Sequence, residues 1–331
     1  MKFLYLILGI AALLVTSLFV GAVDIPAGQV LDILLGKDSD NEALRYIILE
    51  SRLPQAITAL LAGAALAASG LMMQTMFRNP LAGPSILGIS SGANLGVALV
   101  MLLLGSTVSI GALAFSGYVS IIIGAFLGSI LIMGVLILLS SILHNDLMLI
   151  ITGVLIGYLT SSVITLLNYS ASAHGVQGYI MWGMGSFNSV SISQLPVFAG
   201  ITAAGLALAL LLVKPLNAIM LGDNYARNLG VHLTTVRNLL LLATGILTAV
   251  TTAFCGPVAF IGLAVPHIAR LIWQTDNHRV LMPATILTGS AVALLCCIIS
   301  VLPSAGVAPI NAVTPVIGVP VILYVILRKR H

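Results

Sequence analysis

Charge is what this sequence most lacks. Only 7% of its 331 residues are Asp, Glu, Lys or Arg, 13 of them basic and 9 acidic, where a soluble globular chain carries about 25%. So few charged groups leave little to face water, and 60% of the residues are hydrophobic. A soluble globular fold is excluded, and the chain reads as an integral membrane protein of one domain, residues 1–331. Cysteine is scarce as well: Cys255, Cys296 and Cys297 all sit in apolar runs. The adjacent pair points about 100° apart on a helix and cannot chelate one metal together. Neither a disulfide framework nor a metal site is supported. The formal charge of +4 is spread over many short connections rather than gathered in a stripe, so no nucleic-acid partner is indicated.

Two further absences bear on energetics. No G-x-x-x-x-G-K-[ST] phosphate loop occurs, the Gly36-Lys37 pair being followed by Asp38 in an acidic loop. Outside that loop the acids are Asp146, Asp223 and Asp276, each in a polar connection rather than at membrane depth. Proton or sodium coupling therefore has no obvious carrier. Gly88-Ile89-Ser90-Ser91-Gly92 fits the spacing of a hydrolase nucleophile elbow, but it lies in an apolar helix without nearby carboxylates. Asn168-Tyr169-Ser170 is a formal glycosylation triplet at a span end, and His174 reads as a solvated loop residue.

What the sequence does have is long apolar runs. At roughly 20 residues per crossing, spans are expected at about 3 to 23, 53 to 74, 112 to 139, 147 to 168, 192 to 213, 236 to 254, 281 to 302 and 308 to 327. Two shorter stretches broken by Gly and Pro, about 85 to 104 and 257 to 272, bring the expectation to ten. The first run is longer than a signal-peptide core and is read as a span. With both termini inside, Lys2, Arg78, Lys214, Arg227, Arg237, Arg270, Arg279, Arg328, Lys329 and Arg330 collect on the cytoplasmic side. Lys37, Arg45 and Arg52 share the first outer loop with six acids. The positive-inside rule agrees with that orientation. Glycines spaced by four, at 88, 92 and 96, at 124 and 128, and at 153 and 157, mark faces where helices approach closely. Gly83-Pro84 with Gly88 and Gly256-Pro257 with Gly262 form a faint internal echo, as transporter repeats do.

Three runs carry a resemblance. Arg52 to Gly96 holds RLPQ, GAALAASG, QTMFRNPLAGP and GISSGA; Pro215 to Val231 reads PLNAIMLGDNYARNLGV; Gly256 to Ile272 reads GPVAFIGLAVPHIARLI. Together with PVIGVPVILYVIL near the end, they resemble the FecCD-type permease subunits of the ATP-binding-cassette importers for iron-siderophores, haem and vitamin B12. The resemblance implies an all-α, ten-span permease like that of the vitamin B12 importer. It implies a homodimer that works with two ATPase subunits and an extracytoplasmic binding protein in the cytoplasmic membrane. The cargo implied is an iron chelate or a corrinoid. No cofactor is expected on this chain, ATP and Mg belonging to the partner ATPase. An ATP-independent channel or secondary carrier for a small solute is the competing reading.

The resemblance also assigns roles. Gly222, Asp223, Ala226, Arg227, Leu229 and Gly230 fall in the ATPase-coupling segment, about 215–231. Small residues there allow a tight turn between two short helices, and Asp223 and Arg227 stand four apart, as paired residues on one helix face do. Asn145 and Asp146, beside His144 and Leu147, match the cytoplasmic gate between protomers. Arg52 is the candidate for docking the binding protein. Asn79 and Pro80 begin a polar turn, and Tyr179 to Ser189 offers Met181, Trp182, Met184 and Phe187 as an aromatic and methionine surface. The chain departs from the family pattern where Gln55 replaces the second Arg of R-x-P-R. It departs again where 296–302 lacks charge, and where E-L-P-x-G reads Val307-Ala308-Pro309-Ile310-Asn311.

Overall fold

A computed structural model describes residues 1–36, 41–103, 107–110, 113–143, 146–302 and 306–328. Helix α1 (Lys2–Phe19) leads through α2 (Ala27–Leu34) and α3 (Glu42–Tyr46) into a π-turn, Ile47–Arg52, that continues as α4 (Leu53–Met76). A 3-10 turn, Pro84–Leu87, opens α5 (Ile89–Ala98), which ends in a second π-turn, Leu99–Leu103. Strands β1 (Thr107–Ile110) and β2 (Leu113–Ser116) form a short antiparallel hairpin. Then come α6 (Tyr118–Ile142), α7 (Asp146–Ser170), α8 (Ala173–Gly183), α9 (Leu195–Leu211), α10 (Val213–Met220) and α11 (Asp223–Asn228). The chain finishes with α12 (Leu233–Cys255), α13 (Ile261–Trp273), α14 (His278–Ser300) and α15 (Ile310–Arg328).

Among the described residues, six helices are long and apolar enough to cross a membrane, and α9 with α10, bent by 46° at Leu212, forms a seventh candidate. Three shorter apolar helices, Ile89–Leu103, Ile261–Trp273 and Ile310–Val325, complete the apolar set. The run expected from 112 begins as helix only at Tyr118, because β2 and then Gly117 at φ +63° occupy its start. The run expected from 257 is unwound as far as Phe260.

Helix α4 is the hub, buried along nearly all of its length against α12, α13 and α14. Its small residues make this possible. A methyl group on Gly63 would overlap the Gly289 carbonyl of α14, and one on Gly70 would overlap the Gly262 carbonyl of α13. The glycine rows of α5 and α6 interlock the same way, Gly92 against Gly128 and Gly96 against Gly124, while Gly88 faces Gly153 of α7. Such contacts hold helices together where lipid gives apolar side chains no reason to leave it. The two echo segments also meet: a methyl on Gly262 would lie 2.9 Å from Pro84 Cδ. Helices α6 and α7 are far less buried than α4 and present long apolar faces outward.

Polar contacts distinguish the two ends of the bundle. At one end Lys2 Nζ donates to the Ile272 carbonyl at 2.8 Å, Phe3 lies 5.3 Å from Trp273 between ring centroids, and Arg237 donates to the Leu143 carbonyl at 3.3 Å. At the other end is Arg52, the candidate docking residue. Its side chain is 5% exposed. The guanidinium donates to the carbonyls of Leu18, at 2.8 Å, of Phe19, at 3.0 Å, and of Val23. Gly21 leaves room for it, since a methyl there would meet the guanidinium. A cation committed to three carbonyls around the end of α1 is an internal anchor.

Two outcomes follow from this packing. Gly70→Ala is expected to lower the unfolding midpoint in detergent, overpacking costing about 1–3 kcal/mol, whereas Gly134→Ala, with nothing within 4 Å of the new methyl, leaves it unchanged. Arg52→Ala strands the buried Leu18 carbonyl at about 1–3 kcal/mol, so its midpoint falls too. The fall is the same at low and high salt because the contact is buried, and Arg52→Lys does not restore it, an ammonium lacking the fork that reaches three carbonyls. A salt-dependent loss, or full rescue by lysine, would contradict the anchor.

Candidate functional site

The cationic end carries the segment 213–231 as two short helices. Gly222, at φ +111°, makes the turn between α10 and α11, a backbone conformation that L side chains rarely adopt. Asp223 opens α11, and its carboxylate is held by Arg78 from the turn after α4, not by Arg227 as the four-residue spacing allowed. Arg78 sits at φ +46° and also donates to the Ile219 carbonyl at 3.1 Å. It thereby ties the end of α4 to both short helices. Both charged side chains are about half exposed, so the pair contributes orientation more than stability.

Ala226 is fully buried in the chain itself. Its carbonyl accepts from the N–H of Val231 at 3.0 Å, and the Arg227 carbonyl accepts from Gly230 at 2.9 Å. With Gly230 at φ +79°, this is a Schellman ending, which stops α11 after six residues. Arg227 and Leu229 face outward. The exposed apolar surface here consists of Met220, Leu221, Tyr225 and Leu229, the last 58% exposed.

Behind this surface lies a polar network. His278, fully buried at the start of α14, reaches Thr75 Oγ1 of α4 through Nε2 at 2.8 Å and Asn217 Oδ1 of α10 through Nδ1 at 3.0 Å. Asn217 also accepts from the His278 N–H at 2.8 Å and donates to Asn277 Oδ1 at 3.0 Å. Arg270 of α13 donates to Gln74 Oε1 at 2.6 Å and pairs with Asp276 at 3.4 Å, while Gln74 Nε2 donates to the Leu263 carbonyl at 3.0 Å. His267 Nε2 donates to the Pro80 carbonyl at 2.7 Å, and Asn79 Oδ1 accepts from Leu81 N–H at 2.9 Å, so Asn79 orders the turn that it begins. Gln74, Arg78, His267, Arg270 and Asp276 line a cavity of about 630 Å³ beside Val325 of α15.

The structure thus brings Asp223, Arg78, Arg270, His267 and His278 to one end, and it adds Thr75 and Asn217, which carry no sequence signal beyond ordinary polar residues. Of the gate pair, Asn145 lies outside the described residues and Asp146 opens α7. At the opposite end Phe187 is buried, Trp182 stacks on Tyr179 at 6.3 Å, and Met181 is exposed. Among the described residues no three of His, Cys, Asp or Glu converge as a metal site would require.

Comparison with known proteins accounts for nearly the whole chain. The model of the FecCD transport family matches residues 8–328. The hemin transport system permease protein HmuU of Yersinia pestis is 35% identical over 328 residues, 98% of this chain and 96% of its own length. The vitamin B12 import system permease protein BtuC of Klebsiella pneumoniae subsp. pneumoniae is 37% identical over 287 residues, 86% of this chain and 84% of its own. A solved metal-chelate type ABC transporter in an inward-facing conformation superposes over 100% of this chain and 99% of its own, with a TM-score of 0.85 and 28% identity. A polytopic helical bundle with a capped helix pair at its cationic end, matched along nearly its whole length by the family model and by permease relatives, belongs to the FecCD transport family as an ABC-transporter permease subunit.

Proposed function

We propose that this chain is the membrane subunit of an ATP-driven importer that carries an iron chelate, siderophore or haem, or cobalamin inward across the cytoplasmic membrane. It works as a homodimer with two ATPase subunits, which bind ATP and Mg, and with one extracytoplasmic binding protein. The six long helices, the bent pair and the three short apolar helices each cross the membrane, giving ten spans with both termini cytoplasmic. The observation that carries the reading is the α10–α11 pair. It offers Tyr225 and Leu229 on a surface rigidly backed by Arg78 and by the Asn217–His278–Thr75 chain. A docked ATPase moving this pair would act directly on α4 and α14.

In this reading Gly222, Gly230 and Ala226 shape the coupling element, Asp223 orients it, and Leu229 touches the partner. Asn145 and Asp146 form the cytoplasmic gate near the twofold axis. Arg52 being committed internally, docking of the binding protein falls to groups exposed at its end, Arg45 among them.

The coupling surface is tested by Tyr225→Glu with Leu229→Glu. Charge on an apolar contact leaves the spans folded, abolishes co-purification of the ATPase, and lowers cargo-stimulated ATP hydrolysis at least tenfold in proteoliposomes. Retention of both would remove the assignment. Uptake of haem, cobalamin and ferric siderophores by the same reconstituted complex identifies the cargo, and no uptake of any of them would end the importer reading. For the gate, Asn145→Cys is expected to crosslink between protomers without nucleotide and to lose that crosslink in a nucleotide-trapped state. A protein that never crosslinks would place residue 145 away from the axis.

A further inference from the structure

Asn311 stands where the E-L-P-x-G pattern has its glycine, so this chain carries a side chain that the pattern lacks. The carboxamide is used at both ends. Nδ2 donates to the Pro257 carbonyl at 2.6 Å and to the Gly183 carbonyl at 3.1 Å, and Oδ1 accepts from the Ala259 N–H at 3.0 Å. Two carbonyls and one N–H fix which way the amide points. The Asn311 N–H itself donates to the Met184 carbonyl at 3.3 Å, the Ile310 N–H to the Gly185 carbonyl at 3.4 Å, and the Ser186 N–H to the Cys255 carbonyl at 2.8 Å.

These groups lie where helices end. Residues 183–186 are the end of α8 and the turn after it, residues 256–260 are the unwound link between α12 and α13, and Ile310 and Asn311 open α15. Backbone groups at helix ends and breaks have no intrahelical partner, and at membrane depth they must find one in the protein. The close fit depends on glycine at two positions. Gly185 and Gly256 are both at φ +73°; a methyl on the first would lie 3.0 Å from the Pro257 carbonyl oxygen, and one on the second 2.5 Å from that of Trp182.

We propose that Asn311 is the positioning residue of a clasp that holds the end of α8, the unwound link and the start of α15 together as one body at the Arg52 end of the bundle, and that its release opens the chain there. Its meaning for transport rests on the importer reading above, whereas the clasp itself is a property of the single chain. Cys255, 1% exposed and next to Gly256, is a built-in reporter of opening.

The test uses the full-length permease in lipid nanodiscs and a membrane-impermeant maleimide, with modification read peptide by peptide so that Cys255 is scored apart from Cys296 and Cys297. Asn311→Asp keeps an acceptor for Ala259 but turns oxygen toward two carbonyls, and Asn311→Gly restores the pattern's residue. In both, Cys255 is expected to react at least tenfold faster than in the parent while Cys296 and Cys297 stay protected. An unchanged Cys255 rate in both variants overturns the proposal, and so does a rise of all three cysteines together, which is loss of fold rather than release of a clasp. In the complex with its ATPase, the parent's Cys255 rate is expected to differ between nucleotide-free and ATP-trapped states, and Asn311→Gly to erase that difference. A parent rate indifferent to nucleotide, with Cys255 still released in the variants, would overturn the importer reading and leave the clasp standing.

Discussion

In hydrocarbon an apolar side chain gains nothing by exchanging lipid for protein, so helices cohere through the closeness of their backbones. Every other feature of this chain depends on that constraint. Gly63 with Gly289, Gly70 with Gly262, Gly92 with Gly128 and Gly96 with Gly124 bring helix pairs together at carbonyl-to-Cα range. Because α4 supplies one side of the first two, it becomes the hub, and the short helix α13 packs on it where Gly70 meets Gly262.

The second constraint is that a helix may break inside the membrane only where protein satisfies the freed backbone. The chain breaks at Pro84 and again between Gly256 and Phe260. A side chain distant in sequence meets the second break: Asn311 bonds Pro257 and Ala259, while Gln74 bonds Leu263 in the first turn of α13. Arg52 does the same for the residues around the end of α1. These polar residues do structural work in places where charge and amide groups in a membrane protein invite a functional reading.

At the cationic end the same economy yields an exposed element with a stiff mounting. The α10–α11 pair is too short to be stable as isolated helices. It is fixed by Gly222 and Gly230, by Asp223 to Arg78, and by Asn217 to His278 and on to Thr75. A push on Tyr225 or Leu229 therefore reaches α4 and α14 through hydrogen bonds and an ion pair rather than through loose chain.

Composition and periodicity by themselves determined the class of this protein, the positions of most apolar helices and the glycine faces, because hydrophobic length and four-residue spacing are local properties. The runs 52–96, 215–231 and 256–272 likewise carried the family, and the second of them placed the short helix pair α10–α11 to within a few residues. Tertiary structure decided which group each polar side chain engages. Asp223 takes Arg78, 145 residues away, over Arg227 in its own helix. Arg52, which the resemblance offered as a docking residue, donates to the carbonyls around the end of α1. Asn311, which in sequence is only a departure from a motif, joins three chain breaks. Spacing along a helix lists the partners within reach of one segment, but a long side chain near a helix end is claimed by whichever unpaired backbone group the packing brings to it, and that is settled only when the helices meet.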